Sequence, residues 1–410
     1  MNIFSEYRNL RKENYVLFFG RIVTSMGAMI WPMLTMILSR KMGMSAGVIG
    51  ILMAAATVGM FPANILGGKI ADRYEKKMNI VYCDLISVAA YLVCSMMPLS
   101  MVTVALMFIA AFCQTMEQPS YSALIADLTE TKDRERAYSL SYLGGNLGFV
   151  LSPTIAGILL ENHLPLAFLI SGLSIGCSTA MIYFLIGKII PIREDTEEAS
   201  YQKDRSSENI LTVMKENPAV MLFLLTMGLY FGTYVHSNYL LPLEISAVHG
   251  PRGPVIYGTV FSMNCIVVVL FTPLITKWAK ALKEPAKTFA GLVLILAGFA
   301  LFILMKGRIP VYYVSMFIFT CGEIFSVLAD NPFLTRRVPA SHRGRLYGTG
   351  AVIQTVFSGL SQLTVGQLYE KISPAAAWTA VFFCGFTALL LAWLLIRLDR
   401  KVYPKLYTEA

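Results

Sequence analysis

Apolar residues run along this chain in long continuous blocks, without the alternation at every second position that a membrane strand would show. Each block is about the length a helix needs to cross a hydrocarbon layer roughly 30 Å thick. Six occupy residues 15–38, 48–66, 79–98, 101–125, 138–160 and 165–186. Six more occupy 219–243, 255–275, 288–305, 310–334, 346–368 and 375–396. A polar stretch at 188–217 separates the two sets, so the pattern predicts an all-α membrane protein of twelve spans in two bundles, 1–187 and 218–410. The first block is too long for a cleaved signal and no small-residue cleavage pattern follows it, so it is expected to remain as the first span.

Composition sharpens this picture. Charged residues are 14% of the chain and hydrophobic ones 56%, whereas a soluble domain carries about 25% charged. With the N-terminus inside, 27 of the 34 lysines and arginines fall on inner loops and tails and six on outer loops. Inner loops of membrane proteins collect positive charge, so both termini are expected in the cytoplasm. The net charge of +9 then reflects topology and not a nucleic-acid surface. All seven cysteines lie within apolar blocks without paired spacing, so neither a disulfide frame nor a metal site is expected. No G-x4-G-K-[ST] phosphate loop and no H-E-x-x-H pair is present, which argues against ATP as an energy source and against a zinc enzyme. No cofactor is expected.

The two halves repeat one another at an offset of about 210 residues. Pro32 in MIWPMLTMI corresponds to Pro242 in YLLPLEISA, KDRERAY at 132–138 to SHRGRLY at 341–347, and Gly157 and Glu161 to Gly366 and Glu370. Such repeats are typical of secondary transporters, whose binding sites lie between the halves.

One inner connection, GGKIADRYEKK at 67–77, packs six charges into eleven residues. Gly68, Asp72, Arg73, Lys76 and Lys77 fit the pattern G-x-x-x-D-R-x-x-R/K-R/K, with Glu75 where glycine is usual. On these residues and the six-plus-six plan, the chain resembles the major facilitator superfamily, and within it the drug:proton antiporter group. That resemblance implies that the five residues latch the halves in one conformational state; a plain topogenic basic loop is the alternative. Gly67 and Gly68 would permit a sharp turn and close helix approach. In the fifth span, Gly148, Ser152, Pro153, Ala156 and Gly157 approach the G-x3-G-P-x2-G-G pattern of exporters, with Ser152 and Ala156 in place of glycines. The fourth span lacks the arginine that many antiporters of this group carry, so coupling must use other groups.

Ionisable residues inside a bilayer are costly and are candidates for function. Here they are Arg21, Asp84, Glu117, His236, Glu323 and Asp330. The resemblance implies that spans one, four, seven and ten line a central cavity, and all but Asp84 fall on those spans. Arg21 and Glu117 lie at similar depth and are expected to pair. Glu323, desolvated at mid-membrane, can take up and release a proton near neutral pH and is the first candidate for coupling, with Glu117 and His236 next. Asp330 lies closer to the inner surface, within reach of Arg336 or Arg337, and Asp84 is given a structural role. Met26, Trp31, Gln114, Tyr230, Tyr234 and Asn238 supply an adaptable, mostly apolar cavity wall. The reading is a secondary transporter in a plasma membrane, expected to be a bacterial inner membrane. It would move amphiphilic small molecules by proton-coupled export, as a monomer with substrate, protons and lipid as its partners. A nutrient importer, a lipid mover and, further off, an intramembrane enzyme or sensor are the alternatives.

Overall fold

Every element in the described residues is helical. The computed structural model describes residues 10–187, 217–337 and 340–408, with the side chains of several helical residues, Asp72 among them, outside that description. The polar stretch 188–217 lies outside it except for Asn217. The helices are α1 (Lys12–Gly27), α2 (Ile30–Met36), α3 (Ala46–Arg73), α4 (Lys76–Met96), α5 (Met101–Asp127), α6 (Thr131–Phe149), α7 (Ser152–Asn162) and α8 (Leu164–Leu185). After the polar stretch come α9 (Pro218–Tyr234), α10 (Leu240–His249), α11 (Gly253–Ala279), α12 (Glu284–Leu304), α13 (Ile309–Arg337), α14 (Ala340–Lys371), α15 (Pro374–Val402) and α16 (Lys405–Thr408).

Ten stretches among the described residues are long and apolar enough to cross a membrane. One of the ten, Pro218–Ala279, is 62 residues long and contains two of the expected spans. The helix over the eleventh block, α14, is not among them; Gln354, Ser361, Gln362 and Gln367 dilute its apolar character. The outward surface is consistent with a lipid solvent: Phe184 is 78% exposed, Phe383 75% and Leu304 82%. A water-soluble protein rarely leaves so many large apolar side chains uncovered.

Two compact units are present. The first holds Met1–Gly43, Gly59–Asp195 and Ile245–Val269, and the second holds Met44–Val58, Thr196–Glu244 and Leu270–Ala410. In the first unit α4 packs on α5 and α8, and α1 packs on α6 and α8. In the second, α12 packs on α13 and α15, and α9 packs on α14 and α15. Shifting the first set of pairings by the repeat offset gives the second, so the internal repeat of the sequence is a repeat of packing. Small residues make the close crossings. A Cβ on Gly291 would meet Ser326 and the Gly322 carbonyl, which lets α12 and α13 lie nearly backbone to backbone.

The repeat also breaks helices at matching places. α1 ends at Gly27 and α2 restarts at Ile30; α9 ends at Tyr234, a 3-10 turn covers Val235–Ser237, and α10 restarts at Leu240. Pro32 and Pro242 each sit at the third position of the restarted helix. A first-turn residue has no intrahelical acceptor for its N–H, so proline costs nothing there.

Candidate functional site

In the first unit, consecutive residues of α5 face different neighbours, because successive side chains on a helix point about 100° apart. Gln118 faces α1, where Arg21 Nη2 donates to its Oε1 at 3.1 Å. The Arg21 guanidinium also lies over the Tyr121 ring, 5.5 Å from the centroid. Glu117 faces α4, buried to 2% exposure, and its Oε2 has no hydrogen-bond partner among the described residues. The expected direct Arg21–Glu117 ion pair is therefore not made; Arg21 acts on Glu117 through space, with Gln118 holding its head group.

The group facing Glu117 is Asp84, within hydrogen-bonding reach across α4 and α5. Thr179 Oγ1 of α8 donates to Asp84 Oδ2 at 2.7 Å and has the Ile175 carbonyl as a second acceptor at 2.8 Å. Asp84 lies further along its helix than its place in the apolar block suggests. The helix begins at Lys76, ahead of the block, so Asp84 lies in its third turn. The register of the α4–α5 hairpin sets its neighbour. Ser87 Oγ reaches the Ala110 carbonyl at 3.2 Å and Asn79 reaches Ser120 at 2.5 Å, a register that brings Asp84 within a turn of Glu117. Beside Arg21 opens a cleft of about 390 Å³ lined by α1, α5 and α6, with Ser25, Gln118, Tyr121, Ser141, Tyr142 and Asn146 among its walls. Met26 and Trp31 stand part-exposed in the same unit, Trp31 edge-on to Phe108, and Gln114 reaches Tyr91.

In the second unit, the Tyr234 hydroxyl of α9 donates to Glu323 Oε1 of α13 at 3.0 Å. Tyr234 stacks on Tyr230 and on Phe319, with centroids 5.9 and 5.4 Å away. A half-buried carboxyl thus sits at the edge of an aromatic stack. His236 is fully buried in the turn after α9, and its Nε2 lies 2.9 Å from Ser361 Oγ of α14. Ser361 donates its own proton to the Gly232 carbonyl at 2.7 Å, so Nε2 is the donor to Ser361, leaving Nδ1 unpartnered among the described residues. Asn238 lies half-buried just after that turn. Asp330 does not meet Arg336 or Arg337. Those arginines, nearly two turns further along α13, reach Glu284 and Asp399 instead. Arg337 is fully buried, with Nε and Nη2 on the two oxygens of Asp399 at 2.5 and 2.7 Å. Burial opposes its charge, but the hydrogen bonds and charge of Asp399, then Glu284, outweigh it and hold its pKa above the usual value. Glu244, just past the seventh apolar block and so overlooked among the buried charges, is fully buried in α10 and pairs with Lys306.

The charged connection differs from its expectation in one respect. α3 runs unbroken through Gly67 and Gly68 to Arg73, so the glycines make no turn. A Cβ on Gly67 would collide with the Met116 carbonyl of α5, while Gly68 has nothing within 4 Å of that position. Lys76 pairs with Asp127 at 2.7 Å, and Lys77 Nζ donates to the Ile186 carbonyl at 2.6 Å and lies over the Tyr183 ring. Arg73 is exposed and the Asp72 side chain is outside the described residues. In the fifth span the chain breaks between α6 and α7, with Ser152, Pro153, Ala156 and Gly157 buried in the restarted helix. Gly148 is pressed against Ile22, Ser25 and Met26 of α1, and Gly157 against Pro254 and Val255 of α11.

Gly172-Leu173-Ser174-Ile175-Gly176 spells the G-x-S-x-G of serine hydrolases, but it lies inside the unbroken α8. The strand-to-helix elbow that exposes such a serine is absent there. No group of three or more metal-ligating side chains occurs among the described residues.

Residues 17–362 match the family model described as Major Facilitator Superfamily. The chain is 22% identical over 396 residues to a Na(+), Li(+), K(+)/H(+) antiporter of Planococcus maritimus, covering 88% of each. It is 23% identical over 406 residues to the multidrug resistance protein MdtH of Salmonella typhi, covering 96% of each. Among solved structures, the peptide transporter POT in complex with sulfate matches with a TM-score of 0.77 at 14% identity, over 95% of both chains. The nucleoside transporter NupG matches with a TM-score of 0.72 at 14% identity, over 95% of this chain and 99% of that one.

Proposed function

Because this chain belongs to the major facilitator superfamily, we propose that it works as a proton-coupled exporter of amphiphilic small molecules. It is a multi-pass transporter and not an enzyme. The finer reading has twelve spans in two bundles, 1–187 and 218–410, with both termini cytoplasmic, in a bacterial inner membrane. The observation that carries it is Glu323 at the edge of the Tyr230–Tyr234–Phe319 stack. Aromatic faces bind the apolar part of a guest with little specificity, and one titratable acid beside them gives that guest a competitor. If proton and substrate favour opposite conformations, a proton gradient resets the empty carrier and drives export. In the same reading the stretch Gly68, Asp72, Arg73, Lys76 and Lys77 latches one conformation through Asp72 and Arg73, with Lys76 and Lys77 bracing it from their partners in the first unit.

Purified protein in sealed vesicles should acidify or alkalinise the lumen when a substrate from a compound panel is added. Glu323→Gln should keep substrate exchange at equal pH and lose accumulation driven by a pH gradient. A panel that moves no protons with the wild-type chain would overturn proton-coupled export. A second reading, exchange of an alkali cation for protons, is favoured by the two acidic groups Asp84 and Glu117 facing one another and by the relative from Planococcus maritimus. Sodium-driven proton flux in the absence of any organic compound would select it.

A further inference from the structure

The acidic pair of the first unit is the buried ionisable cluster that the export reading leaves unused. Glu117 and Asp84 are each exposed by 2% and approach from two helices of a hairpin whose register is set by Ser87 and Asn79. Around them stand Arg21 from α1, Cys83 on α4, and Cys113 and Tyr121 on α5; α8 contributes Thr179 to Asp84. Arg21 lines the polar cleft, and its charge acts on both carboxyl groups.

We propose that Asp84 and Glu117 form one proton-binding site, and that Arg21 is the countercharge between this site and the cleft. The inference rests on the reading of the chain as a proton-coupled transporter and adds, in the first unit, a second coupling site to that of Glu323 in the second. Two carboxylates in contact in a water-poor interior repel each other, so the pair holds one proton in common. Glu117 is its bearer in the observed arrangement. Its Oε2 has no donor, which an ionised carboxylate would need, while Asp84 has the Thr179 hydroxyl. Thr179 suits both charge states of its neighbour. It donates to an ionised Asp84, and it can turn its hydrogen to the Ile175 carbonyl and accept from a protonated one. When the shared proton leaves, the pair carries a second negative charge and attracts Arg21 away from Gln118. The head group that walls the polar cleft then moves with the protonation state.

The test is infrared difference spectroscopy on the purified full chain titrated across neutral pH, with transport assayed in parallel. The wild type should show a protonated-carboxyl band that titrates with pH. In a Glu323→Gln background, which removes the other titrating carboxyl, Glu117→Gln should remove that band, and Asp84→Asn should alter it. Thr179→Val should keep the band but move its midpoint to higher pH, since it removes a donor to ionised Asp84. An unchanged titrating band in Glu117→Gln in that background, with the protein folded by thermal melt, would overturn the proposal. If Glu117→Gln proves unstable, an unmoved midpoint in Thr179→Val overturns it equally. The spectroscopic arm needs no substrate, so a wild type that titrates as described but moves no protons would refute the transport reading and leave the site standing.

Discussion

Arg337 is the most heavily committed charge in the described chain, with its fork on Asp399, its third nitrogen on Glu284 and its face over Phe333. Arg337→Ala would leave the buried Asp399 without its cation and Glu284 with Arg336 alone, and breaking a buried pair costs about 3–5 kcal/mol. Thermal unfolding in detergent should show that loss. Arg337→Lys should lose less, because the charge stays while the planar fork goes; equal melting of the wild type and Arg337→Ala would mean the network is neutral to stability. Glu370 offers the opposite case, an exposed acid at the end of α14. It accepts from Ser45 and from the Gly47 N–H at 2.7 Å, where α3 begins, and these bonds hold its carboxyl below the usual range. A depressed acid contributes stability that is complete above its unfolded-state value, about 4.3, and disappears as pH falls through its folded value. The wild type should therefore melt above Glu370→Gln at neutral pH, and the two curves should converge in acid. A gap that persists unchanged at pH well below that value would show that the carboxylate's charge is not what holds the contact.

At the scale of elements, paired glycines give a controlled comparison, because Gly67 and Gly68 share one helix and differ in what surrounds them. Gly67→Ala forces a methyl into the Met116 carbonyl, an overpacking that costs about 1–3 kcal/mol. Gly68→Ala meets nothing and should be neutral or stabilise by up to about 1 kcal/mol through helix propensity. Equal melting temperatures for the two would show that α3 and α5 do not need the close crossing. The same contrast marks what the sequence could convey. Apolar blocks long enough for a bilayer announced the helices, and the offset of Pro32 from Pro242 announced the repeat, though not that the helices break and restart at those places. Local composition does not reveal which face a residue takes, and there the reading diverged. Of the turn and the close helix approach expected at Gly67-Gly68, the helix makes only the approach, at Gly67, and runs through without a turn. Glu117 was matched to Arg21 by depth alone, although its neighbour Gln118 is the residue that faces α1. Asp84 was set aside because the apolar block begins at Asn79, whereas the helix begins three residues earlier. Asp330 was offered Arg336 and Arg337, whose partners Glu284 and Asp399 are distant in sequence and beyond any local pattern.

For the whole molecule, transport requires two conformations close enough in energy for small contacts to decide between them. Lys76 and Lys77 have partners inside the first unit, Asp127 and the Ile186 carbonyl. Lys76→Gln should therefore act on that unit's stability, by about 1 kcal/mol or less for an ion pair at the surface. Asp72, under the proposed latch, differs in kind: its contacts are made in one conformation and released in the other. An interaction of about 1.4 kcal/mol present in only one state changes the ratio of states about tenfold. Asp72→Asn should thus insert into the membrane and melt like the wild type while its turnover falls by roughly that factor. Measuring substrate flux at equal protein level, beside a thermal melt of the same preparations, separates the two variants. Turnover near that of the wild type in Asp72→Asn would reduce the stretch to a basic loop that orients the chain in the membrane. A lowered melting temperature alongside the lost turnover would instead place Asp72 with Lys76, as a residue that holds a unit together.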